Sequence, residues 1–208
     1  MHRPTLVVAA ALGTLALTGP AQAKPRETYV FLLSRVELAK GVPADLEAPV
    51  TARVGAAIEA REGLAARLPE GAPDPEAAPK KFKDYLKARR HRAFKVNVEV
   101  TQFAAESETG STGARPASYF TARVTLRLFG ETVPDRTMAF TGEGSATVKI
   151  EVGKTVRQRD RDEAIAAALD QAAASAIDES LRKLDQPPEE SKGQKKPKKR
   201  KAGKPGKG

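Results

Sequence analysis

Between Asp160 and Leu184 the chain reads DRDEAIAAALDQAAASAIDESLRKL, and Ile165, Leu169, Ala173, Ile177, Leu181 and Leu184 recur at steps of four, four, four, four and three. That spacing draws one apolar stripe down a helix of 3.6 residues per turn, so the stretch predicts an amphipathic helix laid across other elements. Asp160 and Glu163 stand in capping-box register at its start. Gln171, Ser175, Asp178 and Arg182 mark the solvated side.

Three alternating stretches lie upstream. Phe94, Val96, Val98 and Val100 alternate with Lys95, Asn97, Glu99 and Thr101, and Phe120, Ala122, Val124, Leu126 and Leu128 alternate with Thr121, Arg123, Thr125 and Arg127. Phe140, Ala146, Val148, Ile150 and Val152 share a parity opposite Thr141, Glu143, Ser145, Thr147, Lys149 and Glu151. A period of two with one wet face predicts half-buried strands in an antiparallel meander. Gly142 and Gly144 fall on the inward parity, which predicts a bulge or the close approach of a helix. Near the start, the five consecutive apolar residues Tyr29 to Leu33 predict a strand covered on both faces.

The connections complete the order. Asp45 to Leu68 predicts a helix with Leu46, Val50, Val54, Ile58, Ala65 and Leu68 near one face and Pro49 in its first turn. Pro69 to Pro79 holds four prolines and reads as a loop. Lys80 to Arg90 predicts a second, polar helix with Phe82, Tyr85 and Leu86 inward, running into the basic stretch Lys87 to Arg92. Glu106 to Ser118 reads as a long mobile hairpin loop, and Glu131 to Arg136 as a short turn. The sum, β-α-(α)-β-β-β-α, is an α+β two-layer architecture: a mostly antiparallel four-stranded sheet with helices packed on one face.

The ends of the chain change the picture. Residues 1–23 read as a secretory signal peptide, with Arg3, an uncharged run from Leu6 to Leu17, Gly19-Pro20, and a small-x-small cleavage site ending at Ala23. Its 12-residue run is short of the roughly 20 residues needed to span a bilayer, and the mature chain is expected to have no transmembrane segment. Residues 24–186 are expected to form one domain, and residues 187–208 a disordered Lys-rich tail with almost nothing apolar to bury.

Charge follows the same division. Of the net +10, the tail carries +7, from nine basic residues against Glu189 and Glu190; Arg3 adds one in the leader, which leaves +2 for residues 24–186. The polyanion-binding candidates are therefore Lys192, Lys195, Lys196, Lys198, Lys199, Arg200, Lys201, Lys204 and Lys207. Arg123, Arg127 and Lys149 are candidates to extend that surface onto the meander.

The element order, with a first strand and helix ahead of a meander and an alanine-rich terminal helix, resembles the periplasmic α/β domains of the curli-secretion lipoprotein and penicillin-binding-protein activator group. The resemblance covers roughly residues 28–184 and implies a periplasmic two-layer domain, without assigning a role to any residue. The lipid-bearing cysteine usual in those families has no counterpart here, because the chain contains no cysteine.

The residue inventory is poor in catalytic chemistry. A mature chain with His91 alone has no histidine pair and no thiolate for zinc, and His91 itself reads as a solvated member of a basic run. Gly153-Lys154-Thr155 follows a strand, but Val148 stands where a phosphate-binding loop needs its first glycine. Gly110-Ser111-Thr112-Gly113 lacks the strand-to-helix setting that aims amides at a ligand. Asp160-x-Asp162 lacks the glycine and distal glutamate of a calcium loop.

The expectation is a periplasmic or secreted, non-enzymatic binding or accessory protein of the cell envelope, with no catalytic residues, metal or cofactor. Its basic tail would associate with an anionic envelope surface or polymer. Two other classes stay open: a nucleic-acid-binding protein, if the leader is retained in the cytoplasm, and an enzyme with an unrecognised site near the 106–118 segment. Sequence does not define an oligomeric state.

Overall fold

The computed structural model describes residues 27–112, 115–153 and 155–186, with the backbone alone for 110–112 and 115–117. Five strands and three helices follow in the order β1 (Thr28–Leu38), α1 (Glu47–Glu59), β2 (Leu64–Ala65), α2 (Pro79–Arg89), β3 (His91–Thr112), β4 (Arg115–Thr132), β5 (Met138–Val152) and α3 (Gln158–Asp185). The strands form one sheet in the order β2-β1-β3-β4-β5. β3-β4 and β4-β5 are antiparallel, whereas β1 runs parallel to both β3 and β2. The α+β class holds, and the sheet gains a fifth, two-residue strand at its edge.

That fifth strand comes out of the expected long first helix. α1 stops at Glu59, and Gly63, at φ +80, turns the chain so that its carbonyl accepts the Tyr29 N–H at 2.8 Å. Leu64 and Ala65 then pair with Tyr29 and Val30. A positive φ is inexpensive only for glycine, so Gly63 is where the helical register ends and Ala65 and Leu68 leave the α1 stripe.

The run Tyr29 to Leu33 is covered on both faces, because adjacent strand residues point to opposite sides. Phe31 is buried in the main core with Val50, Val54 and Ile58 of α1 and Leu169 and Ile177 of α3. Val30 is buried on the other side with Phe82 and Leu86 of α2 and Ala93. The expected packing of all helices on one face is therefore corrected: α1 over β1 and α3 over β4 and β5 share one face, and α2 covers the other at β1 and β3, because Val30 and Ala93 are apolar there.

The meander keeps its predicted parity, with Phe94, Val96, Val98 and Val100 of β3 and Phe120 to Leu128 of β4 inward and buried. Phe31, Phe94 and Phe140 make an aromatic centre: Phe31 and Phe140 stack at 5.1 Å, and Phe94 meets them edge-on at 5.8 and 5.5 Å. The 106–118 segment is not a loop. β3 and β4 stay paired through Glu106↔Thr121 and Thr109↔Ser118 to Thr112↔Arg115, so the polar stretch is a hairpin arm, with Ala105 to Thr109 exposed.

α3 begins at Gln158, two residues before the expected start, with Arg157 at the cap and no side-chain capping bond. Asp160 and Glu163 thus form no capping box; Gln158 instead donates to Asp162 at 2.8 Å. The innermost line of α3 is Ala164, Ala168, Ala172, Ala176 and Ser180, and Ile165, Leu181 and Leu184 are only partly buried. Side chains this small let the helix sit directly on β5, where Gly142 and Gly144 leave room for its backbone. Of the two readings of those glycines, close helix approach is the observed one, since the β4-β5 register is continuous there. No helix among the described residues is long and apolar enough to cross a membrane.

Candidate functional site

The parallel β1-β3 pairing brings three parts of the chain to one end of the domain. α2 is the most basic element described: its sequence PKKFKDYLKAR carries Asp84 as sole acid, and Lys80, Lys81, Lys83, Lys87 and Arg89 are exposed around the buried Phe82 and Leu86. Its C-cap, Arg90, takes a left-handed conformation at φ 55, which turns the chain from helix into strand within one residue. β3 then starts at His91 beside Thr28, whose N–H donates to the Arg90 carbonyl at 3.1 Å.

α3 ends against the start of β1 on the face opposite α2. The Tyr29 hydroxyl donates to Asp185, its last residue, at 3.1 Å. Burial, followed by that carboxylate, pushes the Tyr29 phenol above its ordinary pKa. Arg92 lies over the Tyr29 ring at 5.7 Å and 4.0 Å from Glu27, while Arg89 stacks on Tyr85 at 4.1 Å. Lys87, Arg89 and Arg90 have no ion-pair partner among the described residues, whereas Lys83 is paired with Asp135 at 2.6 Å. The basic side chains of the run Lys87 to Arg92 are thus exposed to solvent at the end of α2 and the start of β3.

The meander contributes no comparable surface. Arg127 donates to Glu143 at 3.0 Å and stands 4.0 Å from Glu99, and Lys149 donates to Glu108 at 3.1 Å. Of the three candidates there, Arg123 alone is exposed without an ion-pair partner among the described residues. The proposed cleavage residue Ala23, and Lys192, Lys195, Lys196, Lys198, Lys199, Arg200, Lys201, Lys204 and Lys207, lie outside the described residues, as does Lys154 of the Gly-Lys-Thr turn.

His91 is half-buried at the head of β3, and its Nδ1 is enclosed without a hydrogen-bond partner among the described residues. A cleft of about 600 Å³ opens between the proline-rich segment and the β4-β5 turn, where Pro75, Pro79, Val133 and Pro134 face Lys95. Arg136, at φ 55, closes its rim on Glu76 at 3.0 Å. Sequence reasoning missed this cleft because its walls lie some sixty positions apart; Pro134-Asp135 signalled a turn there, not what the turn faces. Among the described residues, no group of three or more His, Cys, Asp or Glu could hold a metal.

No family model matches the chain, and no curated protein matches it. Among solved structures it is similar to a protein described as a neuraminyllactose-binding hemagglutinin homolog from Helicobacter pylori, at 16% identity over 80% of this chain and 89% of that one, with a TM-score of 0.38. It is similar to a minor lipoprotein from Acinetobacter baumannii at 9% identity, over 70% and 86% of the two chains, with a TM-score of 0.36. A lipoprotein from Neisseria meningitidis shares 11% identity over 70% and 97%, with a TM-score of 0.30. Two of the three are bacterial lipoproteins, and none belongs by name to the curli-secretion or penicillin-binding-protein activator group. Likenesses this low transfer no activity or partner.

Proposed function

We propose that this chain is an exported, non-enzymatic accessory protein of a bacterial cell envelope, held to an anionic surface by its Lys-rich tail. The observation that carries the reading is the segregation of charge: +7 in residues 187–208 against +2 in residues 24–186. A polycation attaches to anionic head groups or polymers by releasing their counterions, with no demand for a shaped site. The leader supplies the compartment, and the resemblance in element order to periplasmic accessory domains agrees with it.

The test is the mature N-terminus of the expressed protein, measured by intact mass. Cleavage after Ala23 supports export; an intact leader on a cytoplasmic protein replaces this reading with nucleic-acid binding through the same tail. Because the tail has no aromatic residue to stack on bases, that second reading rests on phosphate contacts alone.

A further inference from the structure

We infer that the cleft between the proline-rich segment and the β4-β5 turn is a binding site for a small carboxylate carried on an alkyl body. The inference goes beyond the envelope reading above and does not depend on the tail. The walls are apolar: Leu32 and Leu33 of β1 lie between Pro75 and Pro79 on one side and Val133 and Pro134 on the other. At about 600 Å³ the cleft falls within the roughly 300–1,000 Å³ of small-ligand sites, which combine apolar walls with a few placed polar groups. Both walls are fixed without a ligand. The Asp74 carboxylate accepts the N–H groups of Glu76 at 2.7 Å and Ala77 at 3.1 Å, and the Asp74 carbonyl accepts that of Ala78 at 2.9 Å. Across the cleft, the Val133 N–H donates to the Ala93 carbonyl at 3.0 Å and the Arg136 N–H to the Thr132 carbonyl at 2.7 Å. Arg136 with Glu76 at 3.0 Å, and Lys83 with Asp135 at 2.6 Å, tie the turn to the proline segment and to α2. Proline rings have almost no rotamer freedom to lose, so such walls bind with little ordering cost.

The polar groups of the cleft define the ligand's head. Arg136 is neutralised by Glu76, and the Thr132 hydroxyl is engaged with that of Thr137 at 2.6 Å. Lys95 also lines the cleft and forms no ion pair among the described residues, even with Glu131, which stands directly opposite it on β4. The β1-β3 register slips between Leu33 and Arg35, which leaves Ser34 out of the ladder at the cleft, its hydroxyl without a hydrogen bond among the described residues. Bulges of this kind re-aim side chains and recur beside active sites. One ammonium and one hydroxyl are thus left over, and both can donate to a carboxylate, which only accepts. A single unpaired cation matches a monoanion; a phosphate dianion calls for a second, and the guanidinium at the rim already has its carboxylate. The leucine, valine and proline walls supply the burial that an alkyl chain needs.

Calorimetric titration of the full-length chain with octanoate, decanoate, 1-octanol and acetate tests this. Acetate carries the charge without the body and so measures what the basic residues of the tail take up by themselves. Octanoate should bind at least tenfold tighter than acetate or 1-octanol, and decanoate about tenfold tighter than octanoate, since each buried methylene contributes up to about fourfold. Lys95→Met should weaken octanoate at least tenfold and 1-octanol less than twofold, with unchanged circular dichroism. Lys40→Met, which removes an exposed ammonium outside the cleft, should change neither. Equal losses from the two lysine variants, octanoate binding no tighter than acetate, or 1-octanol binding as tightly as octanoate would overturn the site. None of these results bears on the tail reading, whose failure is read separately from cell fractionation.

Discussion

Gly144 of β5 lies so close under α3 that a Cβ atom built on it would collide with the carbonyl oxygen of Ala172. The obstacle is helix backbone and cannot swing aside, so Gly144→Ala must push α3 off the sheet. Overpacking of this kind costs roughly 1–3 kcal/mol, and the variant should fall in the upper half of that range in urea denaturation. Gly55 in α1 provides the contrast, because a Cβ atom added there would meet nothing within 4 Å. Gly55→Ala should stabilise by roughly 0.5–1 kcal/mol through helix propensity alone.

The aromatic centre makes a second prediction. Phe31 is fully buried against Phe94 and Phe140, so Phe31→Ala should cost about 3–5 kcal/mol, a large share of the stability of an ordinary domain. Phe31→Leu should cost less than half as much. Thermal denaturation of the two variants checks the ratio.

Glu179 guards the free edge of β5. Its carboxylate accepts the outward N–H of Glu143 at 2.8 Å and pairs with Lys183 at 2.9 Å; the backbone bond first, then the ammonium, hold its pKa below the usual glutamate value. A carboxylate with a depressed folded-state pKa stabilises above its unfolded pKa, and the contribution is lost as pH falls through the folded one. Wild-type stability should therefore decline on acidification below about pH 4.5, and Glu179→Gln should flatten that decline while costing about 1 kcal/mol at neutral pH. A pH series of urea midpoints measures both. Glu179→Ala, which removes the acceptor, would also uncover one edge amide, a place where strands from other chains can pair.

Much of this fold was legible where a period repeated often enough. The parity of Phe94 to Val100 and of Phe120 to Leu128 placed each residue on its observed face, and the inward glycines at 142 and 144 pointed to a bulge or a close helix, of which the helix is observed. β2 was not legible, because two residues have no period and its existence depends on Gly63 and on the neighbouring Tyr29. The run Tyr29 to Leu33 announced a strand covered on both faces, but not that α2 would supply the second cover through the narrow stripe of Phe82 and Leu86, since all helices were expected on one face. The hairpin arm from Glu106 to Ser118 read as a loop because Ser, Thr, Gly and Glu give no inward face, and its order comes from the cross-strand partner. The cationic end of α2 was visible as the run Lys87 to Arg92, but its place beside the start of β1 follows only from the bond between the Thr28 N–H and the Arg90 carbonyl.

The central claim concerns the tail, and cell fractionation of the full-length chain beside a chain ending at Gln186 tests it most directly. The shortened chain keeps every described element, so its melting temperature should match that of the full-length protein. It should leave the envelope pellet for the soluble exported fraction, while the full-length chain stays in the pellet and is released by high salt. An unchanged distribution of the two chains would contradict the account.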